Sequence, residues 1–438
     1  MSQSRRDFLK QTGVLSASLL TIPSLGSAQH DLEILAAKNK FGAFPIHQGL
    51  TLEDLSYFTV LRKINAEISF EVVDGKNQLM PLLMISTHRM AGSEDQLDKL
   101  KVSGLKLGEQ YRLRVLDSKK QIIDERFFKA LDTNKKMPKF AIISCMSDFF
   151  KSACKIMWNK VKAQNPDLLF LIGDTCYADQ GSGGTPEGFW KRYVETRSRI
   201  GVFRHQFLTP ILASWDDHDF GKNNSDGSFV HKKFMLELFS AFWLFPEERN
   251  YRRDLGIYQD FTAFGQKFYL MDCRYFRSED THYGDQQEEL LYDSLNKYNM
   301  PSWIMNGSQF FGGYLKKESY EYMQNASFKK FCQKLSEAEA PFVLVSGDIH
   351  YSEIMEIERE IFGFKTYEIT SSSIHSFTFL QQHNFKKNPR RLKKCATSKH
   401  NFKIVTIDNA TDKFKFNVSC QGDEKEIYYE KTLEIVKE

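Results

Sequence analysis

Short apolar runs that end abruptly in acidic, thiol or imidazole residues recur through most of the chain. The segments "KFAIISC", "DLLFLIGD", "LTPILASWDDHD" and "APFVLVSGDIHYSE" each have the pattern of a buried strand followed by such side chains. Amphipathic stretches lie between them, such as "FFKSACKIMWNKVKAQ", which places Phe150, Cys154, Met157 and Val161 on one side of a helix. Strands alternating with helices predict a layered α/β architecture from Lys139 onward. Further strands are predicted at "YQDFTAF", "QKFYLMDCR", "FKTYEITSS", "FKIVTID" and "KFKFNVS", with helices near residues 286–298 and 327–338.

The preceding region, residues 31–135, has a different pattern. Its apolar and polar residues alternate, as in "YFTVLRK" and "AEISFEVVD", and "GEQYRLRVLDSKKQ" places Tyr111, Leu113 and Val115 on one face of a strand. This last segment resembles the closing hairpin of a fibronectin type III-like β-sandwich. We expect a small all-β domain that ends at the polar connection over residues 135–138.

Composition is that of an ordinary globular protein. The 438 residues are 41% hydrophobic, enough for two domains, and 60 basic residues nearly balance 56 acidic ones. This balance gives nucleic-acid binding no support. The seven cysteines are too widely spaced for a zinc pattern or a disulfide scaffold, and their odd number leaves at least one thiol free.

The N-terminus carries an arginine pair, Arg5 and Arg6, ahead of a modest apolar run that ends in small residues at Ala28. This resembles a twin-arginine signal peptide over residues 1–28. A membrane anchor is the alternative, but the run is shorter than the ~20 residues that a span requires. We therefore expect a partner in the twin-arginine export machinery and a periplasmic or secreted mature protein without a transmembrane span. We also expect a monomer.

Four predicted strand ends carry residues typical of metal ligands. These are "SC" at Cys145, "GDTCY" from Asp174 to Tyr177, "WDDHD" around Asp217, and "GDIH" from Asp348 to His350. Ligand sites in α/β sheets gather where strands end. Burying so many carboxylates together is unfavourable unless cations neutralise them, so the pattern predicts a metal site.

The residue types suggest roles within that site. Asp174 can bridge two cations through its two oxygens, as in two-metal hydrolases. The Tyr177 phenolate is a hard anionic ligand that favours ferric iron. Asp348 and His350 are two residues apart, so an extended strand would point both to one side.

The motifs "GDTCYAD", "WDDHDFGKNN" and "SGDIHYSE", together with the preceding "SC", resemble those of the PhoD-like alkaline phosphatases, a branch of the calcineurin-like metallophosphoesterases. The resemblance implies two mixed sheets flanked by helices over residues 139–438, preceded by the all-β domain. It implies that the Cys145 thiolate ligates iron, and it favours ferric iron with calcium. Manganese and magnesium stay alternatives, because a site rich in oxygen ligands suits several hard cations.

Related enzymes have Asn-His at the position of Asp217 and His218. The resemblance therefore implies that Asp217 binds the second cation and that His218 donates a proton to the leaving oxygen or stabilises the phosphoryl group. Asn223 or Asn224 would add an amide ligand or a substrate contact. The remaining acidic residues of this motif, Asp216 and Asp219, are either helix caps or partners of the ligands.

Two basic features allow different interpretations. Arg274 in "LMDCRYFRSED" is a candidate phosphate-binding residue, with a surface salt bridge as the alternative. The run "FKKNPRRLKKCATSKH" is interpreted as a solvated loop rather than a binding patch.

The leading hypothesis is an exported hydrolase of small phosphate monoesters, diesters or both, acting by in-line attack of a metal-bound hydroxide. A second hypothesis assigns the same site to phosphodiesters of lipid head groups, in the manner of a phospholipase D, with some of the 37 phenylalanines lining an apolar groove. A third is a non-catalytic surface protein that metals only stabilise. The proton donor predicted at His218 argues against the third.

Overall fold

The computed structural model of the chain describes residues 42–52, 54–245, 256–312, 319–379, 381–385, 388–409 and 413–437. The predicted signal peptide at residues 1–28 lies outside the described residues.

The N-terminal region is all-β, as predicted. Two antiparallel sheets have the strand orders β1-β2-β5-β4 and β3-β6-β7. Tyr111, Leu113 and Val115 are buried along β6, and they share one hydrophobic cluster with Phe58 and Val60 of β2. The strands are β1 (Ile46–Leu52), β2 (Leu55–Lys63), β3 (Ser69–Val73), β4 (Leu82–Arg89), β5 (Asp95–Val102), β6 (Gln110–Leu116) and β7 (Ile122–Lys129).

Two mixed sheets follow from Lys139, which confirms the mixed α/β prediction. The six-stranded sheet has the order β10-β9-β8-β18-β19-β20, and the seven-stranded sheet the order β11-β12-β13-β14-β16-β15-β17. Strands β8, β9 and β10 are parallel, as are β12, β13, β14 and β16. The strands are β8 (Lys139–Ile143), β9 (Leu168–Ile172), β10 (Ile211–Ser214), β11 (Gln259–Ala263), β12 (Gln266–Leu270), β13 (Ser302–Met305), β14 (Phe342–Ser346), β15 (Ser352–Ile357), β16 (Thr366–Thr370), β17 (Arg391–Thr397), β18 (Asn401–Ile407), β19 (Phe414–Gly422) and β20 (Ile427–Ile435).

Helices of varied length connect these strands. Among the described residues, no helix is both long and apolar enough to cross a membrane. The helices are α1 (Lys151–Ala163), α2 (Pro186–Arg199), α3 (Asp217–Phe220), α4 (Lys232–Phe242), α5 (Asp285–Tyr298), α6 (Tyr320–Met323), α7 (Asn325–Ser336), α8 (Arg359–Phe362) and α9 (Gln382–Phe385), with a 3-10 turn at Gly201–Arg204.

Aromatic side chains join the two mixed sheets. The ring of Phe140 on β8 lies 5.8 Å from Phe268 on β12 and 5.0 Å from Trp303 on β13, measured between centroids. The alternate residues of the six-stranded sheet, such as Ile143 and Leu171, belong to a second cluster with side chains of α1, α2 and α4. Buried apolar residues thus cover both faces of the parallel strands, as expected for this class.

The basic run interpreted as a solvated loop contains a strand, so that interpretation was wrong. Strand β17 lies at the edge of the seven-stranded sheet and pairs with β15. Lys393 and Lys394 are exposed on it, whereas Cys395 and Thr397 are buried. Lysines on an edge strand discourage pairing with other chains, and they mask the strand in the sequence.

Candidate metal centre

The loops that follow the parallel strands meet at one end of the sheets. The N–H of Cys145 after β8 donates to the Gly173 carbonyl after β9, at 3.3 Å, and the Ile374 N–H donates to the Ser144 carbonyl at 3.0 Å. Because β8 and β9 lie in one sheet and Ile374 follows β16 of the other, these bonds tie both sheets to one loop cluster.

Four predicted metal ligands have left-handed backbone conformations, which L-residues seldom adopt. The φ angles are 56° at Cys145, 52° at Asp174, 65° at Asp348 and 56° at His350. The expectation of an extended strand through Asp348 and His350 was therefore wrong, since both lie in a tight turn after β14. Such unfavourable conformations cluster at functional sites, where the surroundings hold them in place.

The turns bring five of the six predicted ligands, all but Tyr177, together with His218 and Asp216 in three groups. In each group, the nitrogen, sulfur or oxygen atoms that could bind a metal all lie within 4.8 Å of one another. Asp174 belongs to two groups and Asp217 to two, so the three form one continuous centre. The groups are Cys145 with Asp174 and His350, Asp174 with Asp217 and His218, and Asp216 with Asp217 and Asp348.

The chemistry of this centre fits bound cations. Asp174 is fully buried, and neither of its carboxylate oxygens has a hydrogen-bond partner among the described residues. The same holds for Oδ2 of Asp216. A buried carboxylate without donors is strongly unfavourable, and a cation between such oxygens removes the penalty.

Glycines at the strand ends have no side chain, and this allows the loops to pack closely together. A Cβ atom at Gly347 would lie 2.3 Å from Ser144 Oγ and 2.6 Å from the Ile172 carbonyl oxygen. Gly173, with a φ of 81°, would place its Cβ 2.8 Å from Cβ of Asp216. Side chains at these positions would push the ligand-bearing turns apart.

A family model described as PhoD-like phosphatase matches residues 140–418, which contain every residue of this centre. The chain belongs to the PhoD-like phosphatase family.

Other comparisons add little to this assignment. Among curated proteins, none matches the chain significantly. The crystal structure of amylomaltase from Corynebacterium glutamicum is similar at 10% identity with a TM-score of 0.16, covering 79% of this chain and 61% of that one. The chain therefore spans less than two thirds of that enzyme, and a similarity this weak carries no argument about fold or activity.

In this member of the PhoD-like phosphatase family, hydrogen bonds orient the thiol and the imidazole that are predicted to bind metal. Nδ1 of His350 lies 2.7 Å from the Phe377 carbonyl oxygen, which requires an N–H there and leaves Nε2 for a metal. Sγ of Cys145 lies 3.0 Å from Ser372 Oγ. Burial, followed by the charges of Asp174 and Asp348, raises the pKa of the Cys145 thiol, so a cation is needed to favour the thiolate.

Tyr177 is buried between the centre and a serine-rich segment. The Ser376 hydroxyl donates to Tyr177 Oη at 2.7 Å, and the Tyr177 ring lies 4.5 Å from that of His218. Burial and the neighbouring charge of Asp174 raise the pKa of the phenol. Tyr177 thus shares its electrostatic surroundings with Asp174.

His218 forms a hydrogen-bonded pair with Asp179. Its Nδ1 lies 2.9 Å from Oδ1 of Asp179. Burial lowers the pKa of His218, but the charges of Asp174 and Asp217 outweigh this effect and raise it to about 11. These charges therefore favour the imidazolium form of His218. Its Nδ1–H is bound to Asp179, and its Nε2–H is left for another acceptor.

Arg274 is buried, and its guanidinium is bound by protein groups. Its Nε donates to Asp216 Oδ1 at 2.5 Å, and its other nitrogens donate to the Ser225 carbonyl and to Ser308 Oγ, both at 3.2 Å. These contacts link the loop after β12 to Asp216. Phosphate binding by Arg274 stays a prediction.

Backbone donors hold the acidic residues of the "WDDHD" segment. The Asn224 N–H donates to Asp217 Oδ2 at 2.6 Å, while the Asn223 side chain is exposed beside it. Burial raises the pKa of Asp217, but the charges of Arg274 and His218 outweigh it and lower that pKa to about 2. Asp219 accepts the Asp216 N–H at 3.0 Å and thereby caps α3, the first of its two predicted roles.

Asp216, which the sequence left between two roles, begins α3 as its N-cap and binds Arg274. Sequence reasoning missed two other contributors to the site. It did not select Asp179. It also passed over the "SSSIHS" segment, whose Ser372 and Ser376 contact the thiol and the phenol. The position of this segment directly after β16, at the same sheet end as the other motifs, was the available signal.

Proposed function

We propose that this PhoD-like phosphatase is a metal-dependent phosphoesterase that hydrolyses small phosphate monoesters, diesters or both. The observation that carries the proposal is the Asp174 carboxylate, buried without hydrogen-bond donors and shared by two groups of metal-ligand atoms. A shared carboxylate is the arrangement that two-metal hydrolases require.

Ligand chemistry divides the centre into two halves. Cys145, Tyr177, His350 and Asp174 would hold ferric iron, since thiolate, phenolate and imidazole suit iron. Asp217, Asp348 and Asp174 would hold calcium, or manganese or magnesium in its place. The bound cations would neutralise charge on the phosphoryl oxygens and supply the hydroxide nucleophile.

The protein's own groups would manage the leaving group. Asp179 accepts the Nδ1–H of His218 and stabilises the imidazolium. The Nε2–H of His218 would then protonate the leaving oxygen. Asn223 would contact the phosphate from its exposed position. Arg274, if it does not reach phosphate, would act by fixing Asp216.

We further propose the wider architecture that the family implies. The two mixed sheets would form the layered metallophosphoesterase sandwich of residues 139–438, and the seven N-terminal strands a fibronectin type III-like domain over 31–135. Residues 1–28 would be a twin-arginine signal peptide. Replacing both Arg5 and Arg6 by lysine should trap precursor in the cytoplasm, and normal export of that variant would exclude this route.

Ester hydrolysis by the purified protein tests the proposed activity. The wild-type protein should release para-nitrophenol from para-nitrophenyl phosphate, from bis(para-nitrophenyl) phosphate, or from both. His218→Ala should lower kcat by about 10²–10⁴-fold while metal content is unchanged. His231→Ala is the matched control, because His231 packs against Phe189 and Phe229 outside the centre. A metal-loaded wild type that hydrolyses neither ester would contradict the proposal, as would a fully active His218→Ala.

A further inference from the structure

Two exposed phenylalanines, Phe377 and Phe379, lie beside the imidazole of the centre, and a third, Phe149, is exposed in the loop that follows Cys145. Phe149, Phe377 and Phe379, called the aromatic rim below, expose 47%, 53% and 40% of their surface. The Phe379 ring lies 6.1 Å from the His350 ring, and the Phe377 carbonyl is the hydrogen-bond acceptor for His350. Two of the three rim residues therefore contact a predicted metal ligand, Phe379 through its ring and Phe377 through its backbone carbonyl.

Packing from behind holds the rim in place. The Phe377 ring meets Phe150 edge-on at 4.8 Å, and the Arg192 guanidinium lies 4.6 Å from the centre of the Phe149 ring. One side of each ring is thus engaged by the protein while a large part of its surface remains open to solvent. Single exposed apolar residues are ordinary, but several fixed beside a polar centre are typical of a ligand site.

We propose that the aromatic rim binds the alcohol portion of the substrate and selects phosphate esters whose alcohol group is apolar, above all aryl esters. The inference rests on the proposed function, because a phosphoryl group held beside His350 would place its ester substituent next to Phe377 and Phe379. An aromatic substituent would bury its own surface and that of the rings, and ring pairs add to the gain.

Two diesters with one leaving group provide the test. Para-nitrophenyl phenyl phosphate and para-nitrophenyl methyl phosphate differ only in the retained alcohol group. The wild-type protein should have a higher kcat/KM for the phenyl ester than for the methyl ester, because its KM for the phenyl ester should be lower. In Phe377→Ala and Phe379→Ala, the phenyl-to-methyl ratio of kcat/KM should fall by about tenfold, the change expected from losing one ring contact.

Phe207→Ala is the matched control. Phe207 is also 53% exposed and also packs against one ring, that of Phe127, but it lies with the N-terminal sheets. This variant should keep the wild-type ratio. An unchanged ratio in both rim variants, or an equal fall in the Phe207 variant, would overturn the proposal.

Binding measurements separate this proposal from the proposed function. Calorimetry with phenylphosphonate and methylphosphonate on the metal-loaded protein needs no turnover. The phenyl compound should bind more tightly to the wild type, and Phe377→Ala should remove most of that preference. If neither diester is hydrolysed but this preference is present, the activity assignment fails and the rim stands. If hydrolysis occurs without any phenyl preference in rate or binding, the rim proposal fails alone.

Discussion

Several side chains at the centre are buried in positions that disfavour their charged forms unless a cation is bound. Asp174 is buried without donors, and burial together with the neighbouring Asp217 raises its pKa, an effect that His218 only partly offsets. The thiol of Cys145 and the phenol of Tyr177 have raised pKa values for similar reasons. Residues that resist ionisation alone become good ligands when a cation replaces their protons.

Colour should report the thiol and phenol directly. If the first cation is ferric iron, charge transfer from phenolate or thiolate should give the protein a visible absorption band. Tyr177→Phe keeps the ring and removes only the oxygen, and Cys145→Ser keeps nearly the same volume, so each should shift or abolish the band. His218→Ala, the control, should keep it. A metal-loaded protein without such a band, or an unaltered Tyr177→Phe spectrum, would contradict the proposed iron ligands.

His375 should make the fold sensitive to acid. Its Nε2 accepts the Trp158 indole N–H at 2.9 Å, so Nδ1 carries the proton and donates to the Ser147 carbonyl. Burial lowers the pKa of His375 from 6.5 to about 4. Its stabilising contribution is therefore complete above pH 6.5 and is lost as the pH falls through about 4, where the folded chain must also take up the proton.

The expected loss is about 3 kcal/mol of unfolding free energy across that range. Urea unfolding of the wild type and of His375→Gln, repeated between pH 7 and pH 4, measures it. The variant should lose about 3 kcal/mol less than the wild type over this interval. Parallel curves for the two proteins would show that His375 does not titrate as described.

At the scale of elements, strands were predictable and turns were not. The apolar runs located β8, β9, β10 and β14 because a fully buried strand has a distinctive composition. The left-handed residues that follow β8, β9 and β14 left no such signal, since cysteine, aspartate and histidine occur in many conformations. The motifs therefore identified the ligands, while their spatial grouping required the structure.

Structural features in which charged residues lie in a strand or in the core were also not predictable from the sequence. Strand β17 was obscured by its lysines. The buried Glu353 on β15 accepts a 2.5 Å bond from Arg391 on β17, together with bonds from the side-chain amides of Gln309 and Asn388. A long-range ion pair of this kind cannot be inferred from either segment alone. Strong local hydrophobic patterns thus located strands correctly, whereas ion pairs between strands could not be predicted from them.

Gly347 tests the importance of close loop packing. Gly347→Ala would force a methyl group against Ser144 and the Ile172 carbonyl, at distances no real Cβ tolerates. We expect a loss of about 1–3 kcal/mol in unfolding free energy, together with reduced metal content. Gly75→Ala is the control, because a Cβ there meets nothing within 4 Å. Equal stability and metal content in the two variants would refute this account of the turn.

At the scale of the whole molecule, buried polar contacts join the N-terminal strands to the region that carries the centre. His47 Nε2 lies 3.0 Å from the Ile211 carbonyl at the start of β10, and Arg197 on α2 donates to Thr59 Oγ1 at 3.0 Å. Leu61 and Leu97 belong to the same hydrophobic cluster as α1, α2 and α4. The N-terminal region thus supports strand β10, whose end carries Asp216 and Asp217.

The metal-to-protein ratio of the purified, folded protein shows directly whether the centre holds two cations. The wild type should hold two cations per chain, iron among them, and Asp174→Asn, which keeps the side-chain shape and removes its charge, should lose both. Asp293→Asn, on the exposed side of α5, should keep the wild-type ratio. A wild type that hydrolyses phosphate esters without bound metal, or an Asp174→Asn protein with its full complement of metal, would show that Asp174 does not hold catalytic cations.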